Sequence, residues 1–254
     1  MQIKSIQAAC AALLWLSIGQ ACGDEVRVLA AGASKAALER IAPEFTRLTG
    51  HLVRASYDTV GAQRDQVLAA KPGAAADLVI LSQSAVEQLR TAGRLTGAPS
   101  QPIGIVAVSL ATREGAALPD ISTPQALQQA LLAASSIAYA DPARGATAGT
   151  HFDKVLDRLQ LRATLQAKLT LLPFGVDVIK DVAIGKFALG VSQSSEILQH
   201  KGIAMVGPLP APYGLSTAYA AALSSEQAAA RQLLEHLASD SAMQHFRHSG
   251  FLPE

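Results

Sequence analysis

Between Val26 and Gly93 the chain alternates three times between a short apolar run and an amphipathic segment of helical spacing. The first unit sets the pattern. Val26 to Ala31 is strand-like, Gly32 and Ala33 form a small-residue turn, and Ser34 stands where a helix N-cap belongs. Apolar residues then recur at Ala37, Leu38, Ile41 and Phe45, until Thr49-Gly50 ends the helix. His51 to Tyr57 is a second strand, the polar turn Asp58-Thr59-Val60-Gly61 follows it, and a helix runs from Ala62 to about Ala70. Leu78 to Ser82 is a continuous apolar run of the kind buried in a parallel sheet, and Ser84 is expected to cap the helix behind it. This alternation predicts a parallel sheet covered by helices on both faces. Each strand that feeds a helix through a small-residue turn also aims unpaired backbone N–H groups, with the helix dipole behind them, at one point. Such a point is a site for an anion.

The same grammar continues after an interruption. The strand from Ile103 to Ala111 follows Gln101-Pro102 and contains Gly104, which marks a first crossing between two lobes. Ser122-Thr123-Pro124 starts a helix that runs to about Ala134. A strand at Ser136 to Ala140 then runs into the loop Asp141 to Gly149, whose small residues and Arg144 form a second anion cradle ahead of the helix His151 to Leu159. Leu169 to Phe174 and Ala188 to Ser192 are further strands, the helix Val176 to Ile184 lies between them, and Gln193-Ser194-Ser195 opens a short helix after the second. The proline-rich return at Ile203 to Pro210 marks a second crossing, and a long apolar strand and two helices close the chain at Gly250. The expected division is one lobe of residues 24–102 and 208–254, a second of 103–207, and a cleft at the strand C-termini between them.

Length and balance narrow the function classes. A chain of 254 residues, half of them hydrophobic, has material for two modest cores. A net charge of +1 gives no reason to expect nucleic acid or another polyanion as partner. Residues 1–23 have the plan of a signal peptide: Lys4, an apolar run from Ile6 to Ile18 too short to span a membrane, and Ala21-Cys22-Gly23 as cleavage site. Cleavage leaves 20 basic and 20 acidic residues and removes Cys10. A lipid-modified Cys22 is the alternative, although Gly19 and Gln20 suit such a site poorly. Either cut leaves no disulfide pair, the six histidines form no ligand motif, and neither metal nor cofactor is expected. The expectation is a monomeric protein exported to the periplasm.

The order of these motifs resembles a known family. VLAAGASKAAL, a small and polar turn before a Gln-containing helix, AADLVILS, ADPARGATAG, the helix start at Asp177-Val178 and ALGVSQ are together similar to the periplasmic molybdate-binding proteins of ABC importers. The likeness covers essentially the whole chain after the leader. It implies the type II periplasmic-binding-protein fold, an α/β fold of two lobes with a ligand cleft and a two-strand hinge. It also implies a small anion held by neutral donors and an inner-membrane ABC permease as partner. Carried over one position at a time, the first ligand serine falls on Ala33, with Ser34 next to it. The second falls on Val60, between Thr59 and Gly61. The backbone donors fall on Ala148 and Gly149, beside Thr147, and on Val178, and the family's tyrosine is replaced by Gln193. The backbone donors therefore persist while three side-chain donors do not, unless Ser34 and Thr59 reach in.

Two ligands follow from that departure. One is a molybdate-type oxyanion. The other is a small di- or tricarboxylate, bound by the same cradles with help from Lys35, Arg64 or Arg144, since guanidinium groups suit carboxylates. The chain is also similar to the branch that contains bacterial aconitate isomerase, which implies a proton shift in the same cleft. That reaction needs an acid/base group within hydrogen-bond reach of the moving proton. Tyr139, Asp141 and His151, around the second cradle, are the candidates.

Overall fold

A computed structural model describes residues 23–253. The expected signal peptide and both cysteines lie outside that range, save for Gly23. The elements in order are β1 (Glu25–Ala31), α1 (Lys35–Thr49), β2 (Leu52–Asp58), α2 (Val60–Ala69), β3 (Leu78–Ser82) and α3 (Gln83–Thr91). The long strand β4 (Gln101–Arg113) follows, then α4 (Pro124–Ala133), β5 (Ile137–Ala140), α5 (Thr147–Arg158), α6 (Arg162–Leu165), β6 (Leu169–Leu172) and α7 (Gly175–Ala183). The chain ends with β7 (Leu189–Gln193), α8 (Ser194–Leu198), β8 (Ile203–Pro208), β9 (Ser216–Leu223), α9 (Ala228–Leu237) and α10 (Asp240–His248).

The sheet is mixed rather than all parallel. Strands β2, β1 and β3 are parallel, as are β6, β5 and β7, but β9 is antiparallel to β3 and β4, and β4 is antiparallel to β7 and β8. The apolar alternation that suggests parallel strands reports burial on both faces, which a returning β9 satisfies equally well. Strand β4 belongs to both halves. Gln101 to Ala107 pairs with β9, whereas Val108 to Arg113 pairs with β7 and β8. We propose that the lobes divide inside β4 and again between β8 and β9, close to the boundaries expected at 102/103 and 207/208.

Each half builds its own core. In the first, Val26, Leu38, Ile41, Phe45, Leu78 and Phe246 are fully buried and belong to one cluster with Tyr219 and Phe251. In the second, the two-residue period of β5 splits the core between faces. Ile137 and Tyr139 pack with Phe152 of α5, while Ala138 packs with Val178 and Ile179 of α7. Helix ends follow local chemistry. Thr123 caps α4 with Pro124 in the first turn, and Gly50 ends α1 in the left-handed region at φ 78°. The cap of α3 is Ser82, whose Oγ accepts from Ala85 N–H at 3.3 Å, not Ser84, whose Oγ lies 3.2 Å from Ser82 Oγ.

One buried acid ties three segments of the first lobe together. Asp77 Oδ2 accepts from Arg27 Nε (3.0 Å) and Arg27 N–H (2.9 Å), and Oδ1 accepts from Arg27 Nη2 (2.9 Å) and Ser225 Oγ (3.0 Å). Burial favours the neutral acid, but the bonds from Arg27 and Ser225 outweigh it and hold the carboxyl below its ordinary range. Asp77→Asn is therefore expected to cost about 2 kcal/mol of unfolding free energy at pH 7, the scale of a hydrogen bond to a charged group. A lowered carboxyl pKa stabilises fully above the unfolded value and progressively less as pH falls through the folded one. Urea titrations of parent and variant should converge in acid, and a gap that persists there would exclude this origin.

Candidate functional site

The C-terminal ends of the strands open onto one cavity of about 500 Å³ between the lobes. Five strand-to-helix junctions meet there, at Gly32-Ala33, Thr59-Val60, Thr147-Ala148, Gly175-Val176 and, between β7 and α8, at Gln193 and Ser195. The first N–H groups of an α-helix lack intrahelical acceptors, so α2, α5 and α7 present backbone donors to this space. Within α7 the open donors are Gly175 and Val176. The N–H of Val178, the residue expected to serve, is bonded to Phe174 O at 3.2 Å, and its side chain is fully buried.

The side chains at the two serine positions of the resemblance are apolar, and neither neighbouring hydroxyl compensates. Ala33 and Val60 both face the cavity. Ser34 is fully buried and donates its hydroxyl to Ala31 O at 2.8 Å, in place of capping α1. Thr59 lines the cavity, but its hydroxyl donates to Arg144 O and accepts from Ala62 N–H. A charged ligand thus lacks two hydroxyl bonds from the first lobe, each worth about 1.5–3 kcal/mol.

The expected cations divide. Lys35 lines the cavity, with Nζ 3.8 Å from Glu39 and 5.5 Å from the centre of the Tyr57 ring. Arg64 does not, being held by Asp65 at 2.8 Å and Gln88 at 3.2 Å. Arg144 is turned to Asp58 (3.3 Å) and lies 4.8 Å over the Phe174 ring, outside the cavity lining. Its place as a fixed charge falls to Lys180 of α7, which sequence reasoning passed over and whose nearest partner is Asp177 at 3.8 Å. Both lysine pairs are loose and part exposed, so they hold their ammonium groups weakly.

None of the three acid/base candidates reaches the cavity. Tyr139 is buried under α5 and donates to Asp153 at 3.1 Å. Asp141 accepts from Ala143 N–H at 2.9 Å as a turn former, and His151 Nε2 bonds Tyr213 O at 2.7 Å. Gln193 does line it, buried, with neither amide atom partnered, and so does Ser195, whose buried Oγ is also unpartnered. Two groups that the sequence reading did not single out complete the wall, Glu196 and Tyr219. The Tyr219 phenol is raised above its ordinary pKa by burial and then by the nearby Glu196, while a hydrogen bond from Thr147 across the cleft opposes the shift. Tyr57 is pushed up to about 12 by burial and then by Glu39. Both phenols are therefore neutral donors at physiological pH. A lone tyrosine in the otherwise small, apolar run LSTAYAAAL was the available signal for Tyr219.

The lobes touch at the cavity rim through backbone. Gly61 N–H donates to Gly145 O at 3.1 Å, and a Cβ on Gly61 would lie only 2.7 Å from Gly145 Cα. Gly61 and Gly145 therefore close the cleft rather than bind in it. Gly149 packs on β5, where a Cβ would overlap Ala140 O. Alanine in a helix is otherwise better than glycine by about 1 kcal/mol. Gly61→Ala should leave melting of the lobes unchanged or slightly raised while it opens the cleft, read as a larger radius of gyration in X-ray scattering. An unchanged radius would exclude this contact as the closing one.

Comparison with known proteins identifies the framework. Residues 26–252 match the family described as bacterial extracellular solute-binding protein, and the chain belongs to that family. It is 32% identical over 235 residues to aconitate isomerase of a Pseudomonas species, spanning 89% of this chain and 87% of that protein. The periplasmic molybdate-binding protein of Azotobacter vinelandii superposes with a TM-score of 0.73 at 22% identity, covering 90% of this chain and all of that one. The sulfate-binding protein of Mycobacterium tuberculosis gives 0.67 at 18% identity, with 91% and 87% covered. The two-lobe α/β fold is that of periplasmic binding proteins.

Proposed function

We propose that this solute-binding-family protein is exported, closes its lobes around a small polycarboxylate, and interconverts cis- and trans-aconitate in the cleft. The observation that carries this reading is the pair Ala33 and Val60, apolar where a bare oxyanion would need hydroxyls, in a cavity of about 500 Å³. A tetrahedral oxyanion fills little of that volume, which lies within the range of about 300–1,000 Å³ common to small-molecule sites. A tricarboxylate can instead spread across it. Its carboxylates have the N-termini of α5 and α7, the ammonium groups of Lys35 and Lys180, and the phenols of Tyr57 and Tyr219 as partners. Relation to an isomerase at 32% identity supports the same substrate class.

Ligand bridging both lobes shifts the open and closed populations by its differential affinity for the closed form. The second reading, delivery of the anion to an inner-membrane ABC permease by a monomeric periplasmic carrier, is favoured by membership of the solute-binding family. No metal or cofactor enters either reading, since a 1,3-proton shift needs only an acid/base group and charge stabilisation.

The test is thermal melting of the mature protein with cis-aconitate, trans-aconitate, citrate, molybdate, tungstate and sulfate. A ligand at 100 times its Kd stabilises by about 2.7 kcal/mol, which is roughly 5–10 °C for a chain of this size. The aconitates should give that shift and molybdate none. Stabilisation by micromolar molybdate would sink the carboxylate reading, and binding of cis-aconitate with no trans isomer formed would leave the carrier.

A further inference from the structure

Accepting the isomerase reading, we infer that Glu196 is the catalytic acid/base that carries the proton between the two carbons of bound aconitate. It sits in the first turn of α8, where the backbones of both lobes come close to its carboxyl. Gly32 approaches from the first lobe, where a Cβ would lie 3.0 Å from Glu196 Oε1, and on Gly175 of the second lobe a Cβ would overlap the carboxyl group. The glycines leave the carboxyl open toward the cavity that it lines.

Its two oxygens are differently placed. Oε2 accepts from Ser192 Oγ and from Gln193 N–H at 3.4 Å, which fixes the plane of the group. Oε1 has no donor on it among the described residues. Beside it, the amide of Gln193 and the hydroxyl of Ser195 are buried, unpartnered and on the cavity wall, so this floor of the cleft has unmet polar valence for a ligand. Among the other acids of the cavity, Asp58 pairs with Arg144 at 3.3 Å, and Asp177 and Glu39 each have a loose cation partner at 3.8 Å, Lys180 and Lys35, whereas Glu196 has none among the described residues. His200 Nδ1 is bonded to Lys201 O at 2.7 Å. Asp177 of α7 and the titratable Tyr219 of β9 act on Glu196 electrostatically, and Lys180, Lys35 and His200 share the cavity with it.

Burial raises the Glu196 carboxyl above its ordinary range, opposed by Ser192 and Gln193 N–H and reinforced by Asp177. A carboxylate so raised is a stronger base near neutral pH. As carboxylate it takes a proton from the methylene carbon of aconitate. The freed electron pair forms a new C=C bond to the central carbon. The old C=C pair shifts onto the former vinyl carbon and its carboxylate, with the α5 and α7 N-terminal N–H groups available to the developing charge. Glu196, now the acid, returns the proton to that carbon. No oxidant, reductant or net proton is consumed.

The test follows cis-aconitate by NMR in D2O with the mature parent protein and with Glu196→Gln, which keeps shape and removes the base. The expected result is a kcat at least about 100-fold lower, the low end of general acid–base contributions, together with loss of deuterium incorporation at the exchanging carbons. Affinity for trans-aconitate, measured by titration calorimetry, should stay within about threefold, equivalent to less than 1 kcal/mol. If Glu196→Gln fails to fold, Glu196→Asp replaces it, with kcat lowered and binding kept. A parent protein with no isomerisation overturns the isomerase reading and this assignment together. An active parent with an equally active variant overturns the assignment alone, as does a variant that loses binding along with turnover.

Discussion

The architecture depends on the backbone pairing of β4. Its 13 residues pair with β9 through one half and with β7 and β8 through the other. Buried N–H and C=O groups must find partners, so a strand embedded in two half-sheets fixes both of them relative to its own axis. On the proposed division, one other connection among the described residues, between β8 and β9, joins the halves. The strand ends that carry small-residue turns then face one another across whatever space two such connections leave. A cleft is what this connectivity produces before any ligand is considered, and rotation about two connections is the motion it permits.

The cleft's chemistry is set by how few of its polar groups are left free. Hydroxyls near the strand ends are consumed by backbone carbonyls: Ser34 on Ala31 O within its own turn, Thr59 on Arg144 O across the cleft. The arginine that looked available is spent on Asp58 and stacked on Phe174, where it helps hold one lobe against the other. What stays open is backbone N–H at helix N-termini, two loosely paired lysines, two neutral phenols, and the Gln193, Ser195 and Glu196 group. On the proposed reading, an extended molecule with several carboxylates uses more of this set than a small symmetric oxyanion does.

Much of this was legible in the sequence, and the limit falls at a definite place. Apolar runs such as Leu78–Ser82, the Thr123-Pro124 cap and the glycine stop at Gly50 act within a few residues, so the edges of their elements were found to within one residue. Strand direction was not legible, because an apolar run such as LSTAYAAAL is buried on both faces whichever way its neighbours point. The site divided along the same line. Junctions that turn backbone N–H groups toward the cavity were located from small residues alone, whereas Tyr139, Asp141 and His151 are near the cradle in sequence yet turned into the core or onto backbone. Of the side chains that do face the cleft, Lys35 and Gln193 lie in the legible junctions, Tyr219 carries only the mark of a lone aromatic in a small-residue run, and nothing local marks Lys180 or Glu196.

On the isomerase reading, Glu196 explains why a binding fold would need little alteration to support proton transfer. A carboxyl inside an anion site is unfavourable for affinity, since like charges repel and burial disfavours ionisation. In a carrier, a residue of that kind at the floor of the cleft would be a defect. Here Ser192 and Gln193 N–H hold one of its oxygens, and Gly32 and Gly175 give up side chains beside it. The same burial that weakens it as a neighbour of anions strengthens it as a base, so its cost in binding and its use in catalysis have one physical origin. On the same reading, the helix N-termini that would hold the ground-state carboxylates would also face the developing allylic charge, so the cradles of the binding fold would need no rebuilding.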